Sequence, residues 1–267
     1  MFASAKNIVH MLDHFYTPWC LVVVMEKCDS DIWMAMMATP SRKVGLAASH
    51  KIMLDVAVGL KTLHDAGVLH RDLHPKNILI VGGPPSGTDI SVESIAAADV
   101  RMMSPPFTLE AIVGALITRP PEIVFRRGMV WKTSDYVVES TFKVGRAVYG
   151  KEADVWAFGT AWASMLAGQW CFDVKSESAF LQSMVAALGA VPRALIIQEG
   201  WSVPSGLQEG WCAPAANKGY APFRGLQKAA PVLISILEFN PRKRVSSDAL
   251  VDMRSGAEGA RADDEMK

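Results

Sequence analysis

Apolar positions recur along this chain with two different periods, and each period predicts an element. Leu21 to Met25 is an unbroken, valine-rich apolar run and predicts a buried strand. A polar break from Glu26 to Asp31 follows, where Ser30 or Asp31 can cap a short helix through Met37. From Ser49 to Ala66 the period changes. Met53, Val56, Leu60 and Leu63 fall on one helical face, and Gly67 supplies the stop. Asn77 to Val81 predicts a second strand, followed by a Gly/Pro turn from Gly82 to Gly87.

Ala111 to Ile117 is apolar and runs into Arg119-Pro120-Pro121-Glu122, and Met129 to Val148 reads as an inserted loop. Asp154 to Leu166 is apolar on nearly every face, which predicts a central, buried helix. Ser178 to Leu188 predicts another helix, and Gly225 to Glu238 an amphipathic segment. Glu199 to Phe223, rich in Gly, Pro and Trp, reads as irregular surface. The small, charged tail from Arg254 reads as disordered.

Composition narrows the class. With 267 residues, 50% hydrophobic and 20% charged, the chain can bury a sizeable core. Lys plus Arg balances Asp plus Glu at 27 each, which argues against nucleic acid or a membrane surface as the main partner. Cys20, Cys28, Cys171 and Cys212 lack metal-type spacing and read as reduced thiols. There is no basic-then-apolar leader at Met1, and the apolar stretch Val155 to Ala167 is too short to cross a bilayer. The expectation is a soluble, intracellular protein of cytoplasm or nucleus.

The chemistry concentrates between His70 and Ile80, which read His-Arg-Asp-Leu-His-Pro-Lys-Asn-Ile-Leu-Ile. A cation, a carboxylate and an amide stand at fixed offsets in a polar loop that enters an apolar strand. Phosphoryl transfer to a hydroxyl needs such a set. Asp72 can orient the hydroxyl and accept its proton, and the Asn77 amide oxygen can hold magnesium on the phosphates.

This segment resembles the catalytic loop of eukaryotic protein kinases, H-R-D-L-x-x-x-N. Further motifs follow in the family's order. Arg119-Pro120-Pro121-Glu122-Ile123 resembles the A-P-E region, Asp154-Val155-Trp156-Ala157-Phe158-Gly159 the D-x-W-x-x-G motif, and Asn240-Pro241-Arg242-Lys243-Arg244 the closing arginine motif. The R-P-P-E form and the insert from Phe172 to Leu188 look most like the cyclin-dependent and MAP kinase group. The resemblance implies an α+β, protein kinase-like fold. Residues 1–28 would be a remnant of the N-lobe sheet (strands four and five and the hinge), 29–253 the helical C-lobe, and 254–267 the tail. It implies ATP and magnesium as cofactors, with Glu26, Lys27, Cys28 and Leu79 around the adenine. Asp72, Asn77, His74 and Arg71 would be the catalytic set. His70 would pack in the core, Asp154 bond the loop backbone, and Glu122 pair with Arg244. The implied partners are a protein substrate or a scaffold partner, and a cyclin-like activator.

Several family features depart from their pattern. No G-x-G-x-x-G occurs in the chain, and only six residues precede Asn7, where the glycine-rich loop, the strand-three lysine and the helix-C glutamate are expected. His74 stands where the family usually has a lysine that touches the γ-phosphate. The activation-segment threonine maps to Ala115, and the phosphoacceptor position maps near Glu110. The D-F-G triplet aligns in two ways. Placed after Ile95-Ala96 it becomes Ala97-Ala98-Asp99 and the metal ligand is lost. Placed on the acid, Asp99 is the ligand, two positions late. The expectation is a Ser/Thr-type kinase domain that is weak or inactive as an isolated chain, the alternative being a catalytically dead pseudokinase acting as a binding scaffold.

Overall fold

The computed structural model describes residues 5–82, 99–102, 116–125, 150–208 and 230–252. The sequence-based expectations for Ala97, Ala98, Glu110, Ala115, 129–148, Cys212 and the tail fall outside these residues.

Two small antiparallel sheets open the chain. Strand β1 (Met11–Tyr16) pairs with β2 (Leu21–Met25), and Tyr16 meets Leu21 across the turn. The second sheet has the order β3 (Ser30–Asp31), β4 (Ile78–Val81), β5 (Asp99–Met102). β1 is exposed along its whole length and β2 is only half-buried, contrary to the buried strand expected from Leu21 to Met25. A two-stranded ribbon covers neither face of an apolar strand, and β1 is the only described element with which β2 makes extensive contact.

Residues just before β1 tie the sheets together. The Val9 amide donates to the Met102 carbonyl, and the Met102 amide to the Asn7 carbonyl, both at 2.9 Å. Gly59 makes room for this edge, since a Cβ there would lie 2.7 Å from the Asn7 carbonyl oxygen.

The helices form the larger layer. The Asp31 carboxylate caps α1 (Ile32–Met37) by accepting the Met34 amide hydrogen at 2.8 Å. Helix α2 (Leu46–Asp65) starts three residues earlier than the apolar pattern indicates, and Gly67 follows it with φ of 73°. Its buried face carries Ile52, Met53, Val56, Leu60 and Leu63. A one-turn helix, α3, covers Pro121–Val124. Helix α4 (Lys151–Ala167) buries every residue from Ala153 to Leu166. Such a helix has no polar face and must sit in the centre, packed against α2 and α7. Helices α5 (Glu177–Leu188), α6 (Arg193–Glu199) and α7 (Ala230–Ile236) complete the layer. None of the described helices is long and apolar enough to cross a membrane.

Candidate functional site

The loop from His70 to Asn77 joins α2 to β4 and is held from below by the central helix. Asp154, in the first turn of α4, is 1% exposed. Its Oδ2 accepts the His70 amide hydrogen at 2.8 Å and its Oδ1 that of Arg71 at 2.7 Å. Charge-assisted bonds to a buried carboxylate are about twice as strong as neutral ones. They offset a local cost, because Arg71 sits at φ of 68°, a left-handed conformation that costs a side-chain-bearing residue roughly 1–2 kcal/mol.

The same carboxylate has a third partner. His64, near the end of α2 and 1% exposed, places Nε2 2.9 Å from Asp154 Oδ2 and Nδ1 3.0 Å from Ser247 Oγ. A neutral ring protonated on Nε2 satisfies both contacts, the Ser247 hydroxyl donating to Nδ1. This bridge was not legible in the local pattern. The only signal was a histidine beside the apolar face of a strongly predicted helix.

Above this base the polar groups converge. Asn77 ends a 3-10 turn (Pro75–Asn77) and is 8% exposed. Its Nδ2 donates to the Asp72 carbonyl at 2.7 Å and to Asp72 Oδ2 at 3.1 Å. Its Oδ1 accepts no hydrogen bond among the described residues. His74 Nε2 lies 3.5 Å from Asp72 Oδ1 and 3.3 Å from Asn77 Nδ2. Asp72, His74 and Asn77 therefore form one cluster, with the Asp72 carboxylate half-buried at its mouth. Leu73 points the other way, into the core, and is fully buried with His70.

On the other side of β4, Glu26 to Cys28 run past the strand. The Asp29 amide donates to the Ile80 carbonyl at 2.9 Å, which brings this segment beside β4. Lys27 is exposed, and its backbone N–H and C=O have no hydrogen-bond partner among the described residues. The Glu26 amide is taken by the His10 carbonyl, and Glu26 Oε1 accepts the His10 amide hydrogen. Leu79 lies half-buried on the face of β4 opposite the fully buried Ile78 and Ile80.

The backbone of Asp99 is set apart from the cluster. The register pairs Ile78 with Met102 and Val81 with Asp99, so the backbone of Asp99 lies at the far end of the hairpin from Asn77. Three pair steps of about 3.4 Å put it roughly 10 Å along the ladder. The two sequence alignments place the triplet at Ala97-Ala98-Asp99 or on Asp99 itself. The strand runs from 99 to 102, and the residues that follow it read Met103-Ser104-Pro105-Pro106, with no carboxylate. Among the described residues no group of three His, Cys, Asp or Glu is arranged to hold a metal ion. Magnesium needs octahedral oxygen ligands at about 2.1 Å. The Asn77 amide oxygen is suited to be one of them, but these residues do not make a self-standing magnesium site.

Glu122 and Arg244 form a separate, structural pair. Arg244 Nη1 and Nη2 bind Glu122 Oε1 and Oε2 at 2.9 and 3.0 Å. The guanidinium also donates to the carbonyls of Glu152 and Glu238 and lies 5.1 Å from the Trp156 ring centroid. This clamp joins α3, the start of α4 and the segment after α7.

A family model described as the protein kinase domain matches residues 2–254. The chain belongs to the protein kinase domain family. Among curated relatives, a putative cyclin-dependent serine/threonine-protein kinase of Dictyostelium discoideum is 28% identical over 70% of this chain and 24% of its own length. The mitogen-activated protein kinase HOG1 of Phaeosphaeria nodorum is 27% identical over 91% of this chain and 61% of its own. A probable cell division protein kinase of Encephalitozoon cuniculi is 27% identical over 84% and 62%. The kinase domain thus spans between a quarter and about three fifths of the length of these relatives. They agree with a Ser/Thr kinase domain of the cyclin-dependent and MAP kinase type, and the fold is the α+β arrangement expected of it.

Proposed function

We propose that this domain transfers the γ-phosphate of ATP to serine or threonine hydroxyls of proteins. The observation that carries the reading is the Asp72–Asn77 pair, locked by two hydrogen bonds in a loop whose backbone is pinned to Asp154. Asp72 accepts the hydroxyl proton as the oxygen–phosphorus bond forms and the bond to the β-phosphate oxygen breaks, releasing ADP. The backbone of Lys27, flanked by Glu26 and Cys28, meets the adenine, and Leu79 floors it. Arg71 and His70 act through the loop conformation. A protein substrate is the partner, and the names of the relatives make a cyclin-like protein the activator to test. Residues 1–28 and 29–253 then divide as the two lobes.

Transfer by the 267-residue chain alone is weak. His74 is shorter than lysine at the position beside the γ-phosphate, and none of the four residues directly after β5 is a carboxylate. Positioning and charge neutralisation supply most of the catalysis in this reaction class. Transfer of labelled phosphate from ATP to a serine/threonine peptide mixture tests this. Slow incorporation that disappears in Asp72→Ala, with unchanged circular dichroism, is the expected result. Incorporation equal in Asp72→Ala would overturn it.

A binding scaffold is the second reading, favoured by the same two departures, at His74 and after β5. It predicts no shift in Tm with ATP, with or without magnesium, and no transfer at all.

A further inference from the structure

The ribbon of β1 and β2 has one open edge. At its turn the Thr17 amide donates to the Cys20 carbonyl at 2.8 Å, and at its base the Glu26 amide donates to the His10 carbonyl at 3.0 Å. Cys20 and Glu26 therefore both turn their backbone groups toward the first arm of the hairpin. Strand residues alternate in this direction, so Val22 and Val24 face β1, and Leu21, Val23 and Met25 aim their N–H and C=O groups the other way. The sheet holds only these two strands, and the outward groups meet no partner among the described residues.

The opposite edge is closed. β1 is irregular between Met11 and Asp13, and the His14 amide, turned outward, already donates to Asp13 Oδ1 at 2.7 Å. A bulge and a charged side chain are common protections of a free edge. β2 has neither: it pairs without a break from Leu21 to Val24, and its sequence is Leu-Val-Val-Val-Met.

This open edge is complementary to itself. Antiparallel pairing with a second β2, about a two-fold axis through Val23, sets Leu21 against Met25 and Val22 against Val24 of the other copy. Val23 meets its own copy. Every pair is apolar on apolar, no like charges are opposed, and Leu21, Val23 and Met25 of both copies become hydrogen-bonded pairs. A two-stranded ribbon is marginal in water, whereas three or more strands sustain a sheet. The joined sheet would have four, bounded on both sides by the closed edge of β1, so association stops at two copies.

We propose that β2 is a homodimerisation edge, through which two copies of this chain form a continuous antiparallel sheet by strand addition. The contact is independent of phosphoryl transfer by either copy.

Sedimentation velocity of the full chain over a concentration series tests this. A five-residue ladder is smaller than the roughly 800 Å² per partner of a standard interface, so half-association is expected on the order of 10–100 µM. Val23→Lys opposes two ammonium groups at the axis and should weaken association at least about tenfold. Val23→Pro removes only an outward N–H and should do the same. Val23→Lys keeps the test decisive where the proline disturbs the ribbon. Mild oxidation of Val23→Cys should crosslink the chain to itself, because opposed residues of such a pair have Cα atoms about 5.5 Å apart. Leu21→Cys, opposed to Met25, should not, with peptide mapping to separate the new bond from native thiols. A chain that stays monomeric through about 200 µM overturns the proposal, being weaker than any such interface. Open-ended assembly, association unmoved by Val23→Lys, or self-crosslinking through Phe15→Cys of β1 in place of Val23→Cys also overturns it.

Discussion

Asp154 accepts the amide hydrogen of Arg71 at 2.7 Å, and Arg71 is the one residue of the loop from His70 to Asn77 with a left-handed backbone. The two facts are connected. A strained residue persists where its surroundings over-determine it, and a carboxylate buried under the loop does so here. Asp154→Asn replaces one acceptor oxygen with an amide group that faces either a backbone N–H or the His64 ring. The expected cost is about 2–4 kcal/mol, a fall in Tm of roughly 5–10 °C for a domain of this size. Thermal unfolding by circular dichroism checks it, and an unchanged Tm would show that the loop is held by other contacts.

The clamp between Glu122 and Arg244 gives a second test. The Arg244 side chain is fully buried and Glu122 is 18% exposed. Removing either partner leaves a buried charge without its counter-ion, so Arg244→Met and Glu122→Leu should each cost about 3–5 kcal/mol. The double variant should be less damaged than the two single losses added together, by at least about 1 kcal/mol. Urea titrations of the four proteins measure this coupling, and simple additivity would contradict it.

The thiols should separate by reactivity. Burial pushes the Cys171 thiol well above its usual range, whereas Cys20 is exposed with Thr17 Oγ1 3.2 Å from its sulfur. Reaction needs the thiolate and an open path. Iodoacetamide at mild alkaline pH should label Cys20 readily and Cys171 only after denaturant is added, with mass mapping as the readout. Labelling of Cys171 in the native protein at the rate of Cys20 would contradict its burial.

How much of this was legible in the sequence depends on range. Helices α2 and α4 were readable because Met53, Val56, Leu60 and Leu63 repeat at helical spacing and because 154–166 is nearly all apolar. The proximity of Asp72 and Asn77 was readable because their offset is local. Strand β5 was not readable, since Asp99-Val100-Arg101-Met102 carries two charges and owes its extended form to β4. Helix α6 was hidden by its short length and its Pro192 and Gly200 flanks. The His64–Asp154–Ser247 bridge joins three distant segments, and no local window contains it.

The position of Asp99 decides whether the described part of this domain keeps a metal carboxylate, and the β4–β5 register makes it testable without any nucleotide. Directly opposed residues of an antiparallel pair have Cα separations of about 4.5–5.5 Å, within the range a disulfide spans. Val81 and Asp99 are opposed, whereas Ile78 is opposed to Met102. Val81→Cys with Asp99→Cys should therefore crosslink on mild oxidation, and Ile78→Cys with Asp99→Cys should not, with peptide mapping to separate the new bond from the native thiols. The functional corollary concerns magnesium. Asn77→Ala should remove any magnesium-dependent part of the Tm shift given by ATP, and Asp99→Ala should leave it unchanged, because the ladder holds residue 99 away from the Asn77 oxygen. Crosslinking through position 78, or loss of the magnesium effect in Asp99→Ala, would return Asp99 to the site and require a different register for this hairpin.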